Sequence, residues 1–148
     1  MKNSLKIPQL LLRVALGIGF LVTVSDRLGF LGPMGTPNIE WGNWDNFIDY
    51  TATLMPFLDR PAVHIMGGIA TLAEATLGIL LILGFKTRQA AIGSCLLTLI
   101  FALSMSVFLG IKAPINFAVF PVSTASLLLA TIPIYKWSID NFFTSTAK

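Results

Sequence analysis

The stretch TLAEATLGILLILG, residues 71–84, holds one carboxylate, Glu74, inside an otherwise uncharged run. The nearest charges along the chain are Arg60 and Lys86. In a water-soluble helix such an acid faces solvent, so the fold turns on whether solvent is there. The 148 residues are 55% hydrophobic and 11% charged, with a mean hydropathy of +0.79. Soluble domains carry about 25% charged residues. A soluble chain this apolar lacks the polar groups to cover its surface, and lipid removes that requirement. The expectation is one transmembrane domain over residues 1–148.

Four apolar segments have about the length that crosses a bilayer core, which takes roughly 20 helical residues. They cover about 8–25, 61–84, 89–110 and 115–133. They are continuous rather than alternating, which predicts helices, and only helices or closed barrels satisfy every backbone group in lipid. The fold class expected is all-α: an integral membrane four-helix bundle. Asp59 before Pro61 predicts one helix start, and Gly84 and Gly110 predict helix ends. The short links at 85–88 and 111–114 predict antiparallel neighbours.

Residues 26–60 form the long connection. Gly29, Gly32, Pro33, Gly35 and Pro37 make its first half irregular. In its second half Trp44, Phe47, Ile48, Thr51 and Met55 recur at helical spacing before Pro56. This predicts a short amphipathic helix over about 43–55, lying at the membrane interface with Trp41, Trp44 and Tyr50 at headgroup depth.

Lys2, Lys6, Lys86, Arg88, Lys136 and Lys148 fall on one side of this topology, and Arg27, Arg60 and Lys112 on the other. The positive-inside rule then places both termini in the cytoplasm and the long loop outside. Arg13 interrupts the first apolar segment, which reads as an uncleaved helix rather than a removed signal. The net charge of +3 is spread without a dense basic patch, so nucleic acid is not an expected partner. A lone Cys95 allows no internal disulfide and no CxxC pair. No cluster has zinc spacing, so no metal is expected, and one histidine cannot supply two axial ligands to a haem within one protomer.

Glu74 lies about ten residues from one end of its helix, roughly 15 Å deep. A charge at that depth costs on the order of 2.5–3.5 kcal/mol on insertion scales. It has to be protonated, paired or hydrated. Gly67, Thr71, Glu74 and Gly78 share one helical side, so Glu74 is expected in a helix–helix seam. The bland alternative is a protonated acid bonded to a nearby carbonyl or hydroxyl. Arg13 is the expected partner, with snorkelling to the headgroups as its alternative. Asp26, Arg27, His64, Lys112 and Asn116 gather at the outer side. They read as caps and surface pairs, or as a polar mouth for a small anion or a quinone headgroup. Ser94, Thr98, Ser123 and Ser126 are expected to serve packing.

The runs LLRVALGIGFLVTVSDRLGFLG, WGNWDNFIDYTATLMPFL, LAEATLGILLILGFKTRQAA and GIKAPINFAVF, in this order and spacing, resemble the DoxX/DoxD-like membrane proteins. Arg13, Asp26, Arg27, Glu74, Thr87, Arg88, Lys112 and Pro114 match positions that recur in such sequences. Asn116 stands where related sequences often carry an acid. The resemblance implies a four-helix protein of the bacterial cytoplasmic membrane. For some members it implies association with thiosulfate:quinone oxidoreductase or with sulfur-handling and oxidative-stress complexes. On that basis the first expectation is the membrane subunit of a quinone-linked oxidoreductase, with quinone as ligand and an accessory subunit as partner. In it Arg13 or Arg27 holds a carbonyl or thiosulfate, and Glu74 relays protons. A non-enzymatic membrane anchor for a partner complex is the alternative. A small-molecule or proton-coupled carrier, which with four helices implies a homo-oligomer, is the third.

Overall fold

The computed structural model describes residues 5–146, and all its regular elements are helices. They are α1 (Lys6–Arg27), α2 (Trp44–Leu54), α3 (Arg60–Leu83), α4 (Thr87–Phe108), α5 (Lys112–Asn116), α6 (Val119–Ala130) and α7 (Ile139–Thr146). Lys2 and Lys148, which entered the charge asymmetry, lie outside the described residues. Three helices, α1, α3 and α4, are long and apolar enough to cross a membrane, and α6 is a shorter apolar one.

The helix ends follow local chemistry. The Asp59 carboxylate accepts the Ala62 N–H at the start of α3, with Pro61 in the first turn. Gly84 ends that helix in the left-handed region, at φ 67°. Asn43 caps α2 by accepting the Asn46 N–H at 2.9 Å. The start of α4 has no cap of its own. Asp140, in α7, accepts the N–H groups of Lys86 and Thr87, both at 2.8 Å, and so does that work from more than 50 residues away.

The fourth apolar segment is not one helix over 115–133. It breaks at Phe117 and Ala118, where Ala118 turns left-handed at φ 53°. Pro121 explains the break. Proline has no N–H to donate back to residue 117, and its ring would clash with that carbonyl, so a helix cannot run through. Pro121 is instead in the first turn of α6. The twelve residues of α6 rise about 18 Å, less than the ~30 Å of a bilayer core.

Helix α1 runs antiparallel along α3, and α4 along α6; α3 also meets α4, and α1 meets α6. Gly17 and Gly78 fix the first seam. A Cβ on Gly17 would stand 2.8 Å from the Gly78 carbonyl oxygen, and one on Gly78 3.0 Å from that of Gly17. Small side chains line the α4–α6 seam: Ala91, Ser94, Thr98 and Ala102 from one helix, Ser123 and Ser126 from the other. Burial is inverted relative to a soluble protein. Leu72 and Val107 are 70% and 74% exposed, while Arg13, Glu74 and Arg27 are 1%, 2% and 4% exposed. An apolar exterior around a polar interior is what a lipid solvent selects.

Helix α2 covers the loop end of this assembly, opposite the end that carries the chain termini. Its Phe47 and Ile48 form a small core with Val63 of α3, flanked by Trp41 and Trp44. The apolar face predicted from the sequence is therefore spent on α3.

Candidate functional site

The two charges that matter most are adjacent. Arg27 Nη2 lies 2.9 Å from Glu74 Oε1, with both side chains buried. Arg27 Nη1 also donates to Thr71 Oγ1 at 3.3 Å. The guanidinium is covered by aromatic faces, 4.2 Å from the Phe47 ring centroid and 5.1 Å from that of Trp41. Cation–π contacts of this kind contribute about 0.5–2 kcal/mol. Arginine suits such a place because its planar cation is weakly hydrated and stacks on rings.

The expected Arg13–Glu74 pair does not form, and the direction of helical side chains gives the reason. Each Cα–Cβ bond tilts toward the N-terminus of its own helix. Helix α1 ends at the loop end, so Arg27 leans inward. Helix α3 begins at the loop end, so Glu74 leans outward, and the two meet. Arg13 leans the other way, toward the chain termini. There its Nη2 donates to the Trp137 carbonyl at 2.6 Å, and Nη1 sits where a Cβ on Gly84 would come within 2.5 Å. At 1% exposure it is not snorkelling either. Gln9, one turn earlier, donates to the Lys136 carbonyl at 2.9 Å. Arg13 and Gln9 thus hold the segment between α6 and α7.

Asp26, next to Arg27, points into the long loop. Its Oδ2 accepts the N–H groups of Glu40 and Trp41 at 2.9 and 3.3 Å, and its Oδ1 accepts that of Gly42 at 2.8 Å. Three backbone donors on one carboxylate form a firm anchor, because hydrogen bonds to charged groups are the stronger kind. The anchor sets Trp41 over Arg27. His64 accepts the Trp44 Nε1–H at Nδ1, 3.2 Å away, and ties α2 to α3. Lys112 and Asn116 are exposed on α5 and do not line the cavity described next. The outer cluster expected from the sequence is therefore split: Arg27 joins Glu74, Asp26 and His64 hold the loop, and Lys112 and Asn116 stand apart.

A partly open cavity of about 550 Å³ reaches the pair. Its walls are mostly apolar, with Leu16 and Phe20 of α1, Phe101 and Met105 of α4 and Val122 of α6 among them. Its polar lining includes Arg27, Glu74, Thr98 and Tyr50. Burial and the Glu40 carboxylate push the Tyr50 phenol above its ordinary pKa, so it remains a neutral donor. Glu74 Oε2 and Arg27 Nε are buried with no hydrogen-bond partner among the described residues. A largely apolar chamber with a few convergent polar groups is the usual form of a small-molecule site.

Trp41 and Phe47, which cover Arg27, are functional residues that the sequence marks only indirectly. The signal was present, because Phe47 lies on the apolar face of α2 and Trp41 just precedes that helix. The partner choice of Glu74 was also legible, had the inward lean of a side chain at a helix C-terminus been applied to Arg27.

No curated protein and no solved structure matches the chain. A family model described as DoxX matches residues 9–107, a span that contains all of α2 and α3, α1 from Gln9 onward, Asp26, and the Arg27–Glu74 pair. On that match the chain belongs to the DoxX family.

Proposed function

We propose that the chain is the quinone-binding membrane subunit of a quinone-linked oxidoreductase of the thiosulfate:quinone type. In this reading α1, α3 and α4 cross the bacterial cytoplasmic membrane, and the broken α5–α6 segment completes a four-helix bundle. Both termini are cytoplasmic, and α2 lies at the outer interface. The observation that carries the reading is the cavity: about 550 Å³, mostly apolar along its walls, with the Arg27–Glu74 pair in its lining. An isoprenoid tail fits the apolar walls and a ring with oxygens fits the polar lining.

The residues divide the work. Arg27 supplies fixed positive charge, held in place by Glu74, Thr71, Trp41 and Phe47. Tyr50 supplies a neutral donor nearer the loop end. Asp26 and His64 act at one remove, by holding Trp41 and Trp44. Quinone reduction takes two electrons and two protons, and in this reading an accessory subunit delivers the electrons. The test is photolabelling of the full-length protein in nanodiscs with an azido-quinone. Labelling on α1, α3 or α4 around the cavity, displaced by excess unlabelled quinone, is the expected result. Labelling that is not displaced, or that maps to the lipid-facing surface, overturns the reading.

A second reading, a membrane anchor for a partner complex, draws on a different observation. Phe30, Met34 and Phe57 are strongly exposed around the loop end. Co-purification of a stable partner that is lost on substituting Phe30 and Met34 by serine would favour it.

A further inference from the structure

The Arg27–Glu74 pair is only half satisfied. Glu74 Oε1 receives Arg27 Nη2, while Oε2 receives nothing from the described residues. The nearby threonines cannot fill the vacancy, because each hydroxyl has one hydrogen. Thr51 donates to the Phe47 carbonyl, Thr71 to that of Gly67 and Thr98 to that of Ser94, at 2.7–2.8 Å. Beyond those bonds they offer only lone pairs. Thr71 shows this directly, since its oxygen accepts from Arg27. The guanidinium itself is covered by Trp41 and Phe47. Arg27 Nε is the matching vacancy on the donor side, also buried without a partner among the described residues, so the pair leaves one acceptor and one donor open. A buried acceptor left without a donor is costly, and an occupant that brings one is favoured.

We infer that the cavity takes an amphiphile whose headgroup carries a hydroxyl to Glu74 Oε2, so that of a quinone couple it holds the quinol more tightly than the quinone. The inference rests on the quinone-site reading above and adds which redox form the site prefers. A quinol offers two O–H donors. A quinone offers carbonyl oxygens alone, which can accept from Arg27 Nε but leave Glu74 Oε2 without a donor, whereas a quinol can answer both. A hydroxyl donating to an ionised carboxylate makes a charge-assisted bond, stronger than its neutral counterpart. Tighter binding of the reduced form raises the potential of the bound couple. For a two-electron couple a tenfold preference corresponds to about 30 mV. Such a site draws electrons toward the bound ring and retains the product until it is exchanged.

Three ligands with the same ring and decyl tail test this: the benzoquinol, its quinone, and the dimethyl ether of the quinol, which has no donor. Binding to the full-length protein in nanodiscs is measured without oxygen, against empty nanodiscs. The expected result is a Kd for the quinol at least tenfold below those of both other ligands. Equal affinity for all three overturns the inference and leaves the quinone site standing. Specific binding of none of them overturns both. In Glu74→Gln the quinol-to-ether ratio is expected to fall to within about twofold. An unchanged ratio there overturns the assignment of the hydroxyl to Oε2.

Discussion

Removing Arg27 would leave the Glu74 carboxylate buried without its counter-ion. Deleting one member of a buried pair costs about 3–5 kcal/mol, whereas replacing both by apolar groups is often neutral. Arg27→Leu is therefore expected to lower unfolding stability by about 3–5 kcal/mol in mixed micelles. The double variant Arg27→Leu, Glu74→Leu should lie closer to the parent than either single change. Denaturant titrations of the four proteins give the coupling directly. If the two single losses simply add, the pair is not energetically coupled, whatever its geometry. At this scale the sequence showed that Glu74 belongs in a seam, because Gly67, Thr71 and Gly78 share its side. It could not show by depth alone which arginine answers it, since both arginines lean toward the start of α1, which brings Arg27 toward Glu74 and carries Arg13 away from it.

Between elements, close backbone approach sets the position of the pair. Gly17 and Gly78 let α1 and α3 touch, and that register brings Arg27 over Thr71 and Glu74. Gly17→Leu would push a side chain into the Gly78 carbonyl and into Ile82 Cγ1, 2.6 Å from the new Cβ. Overpacking of this kind costs about 1–3 kcal/mol, and quinone photolabelling is expected to weaken with it. Gly68→Leu is the control, because a Cβ there meets nothing within 4 Å. Equal loss from both changes would show that the seam is not special. The start of α4 offers a second test. Asp140→Ala removes its only acceptor for the Lys86 and Thr87 N–H groups among the described residues, and cap losses run to about 0.5–2 kcal/mol. Faster amide exchange at those two residues is the expected readout. The boundaries of α2 and α3 were legible from Asn43, Asp59, Pro61 and Gly84, where local caps decide. The α5–α6 break was written in Pro121, and hydropathy alone read past it. The Asp140 cap was not legible, because its partner lies more than 50 residues away and only tertiary packing joins them.

Over the whole molecule, the described basic residues sort by end. Lys6, Arg13, Lys86, Arg88 and Lys136 lie toward the end where α1 begins; Arg27, Arg60 and Lys112 lie toward the other. The proposed orientation makes a direct prediction in a Cys95→Ser background. Asn38→Cys should react with a membrane-impermeant maleimide in intact spheroplasts. Lys136→Cys should react only after permeabilisation, and the reverse pattern would invert the topology. The inside-out distribution of polarity was legible from composition. Which polar groups fill the interior was only partly so, because Gln9 and Arg13 are matched by carbonyls of the segment after α6, and carbonyls carry no sequence signature. That matching has a consequence for synthesis. Arg13 is made early, while the carbonyl that receives it belongs to Trp137, 124 residues later. At about 5–20 residues per second that delay is roughly 6–25 s. For that interval the nascent first helix carries an unanswered cation, so its early resting place has to be one where water or phospholipid headgroups can stand in.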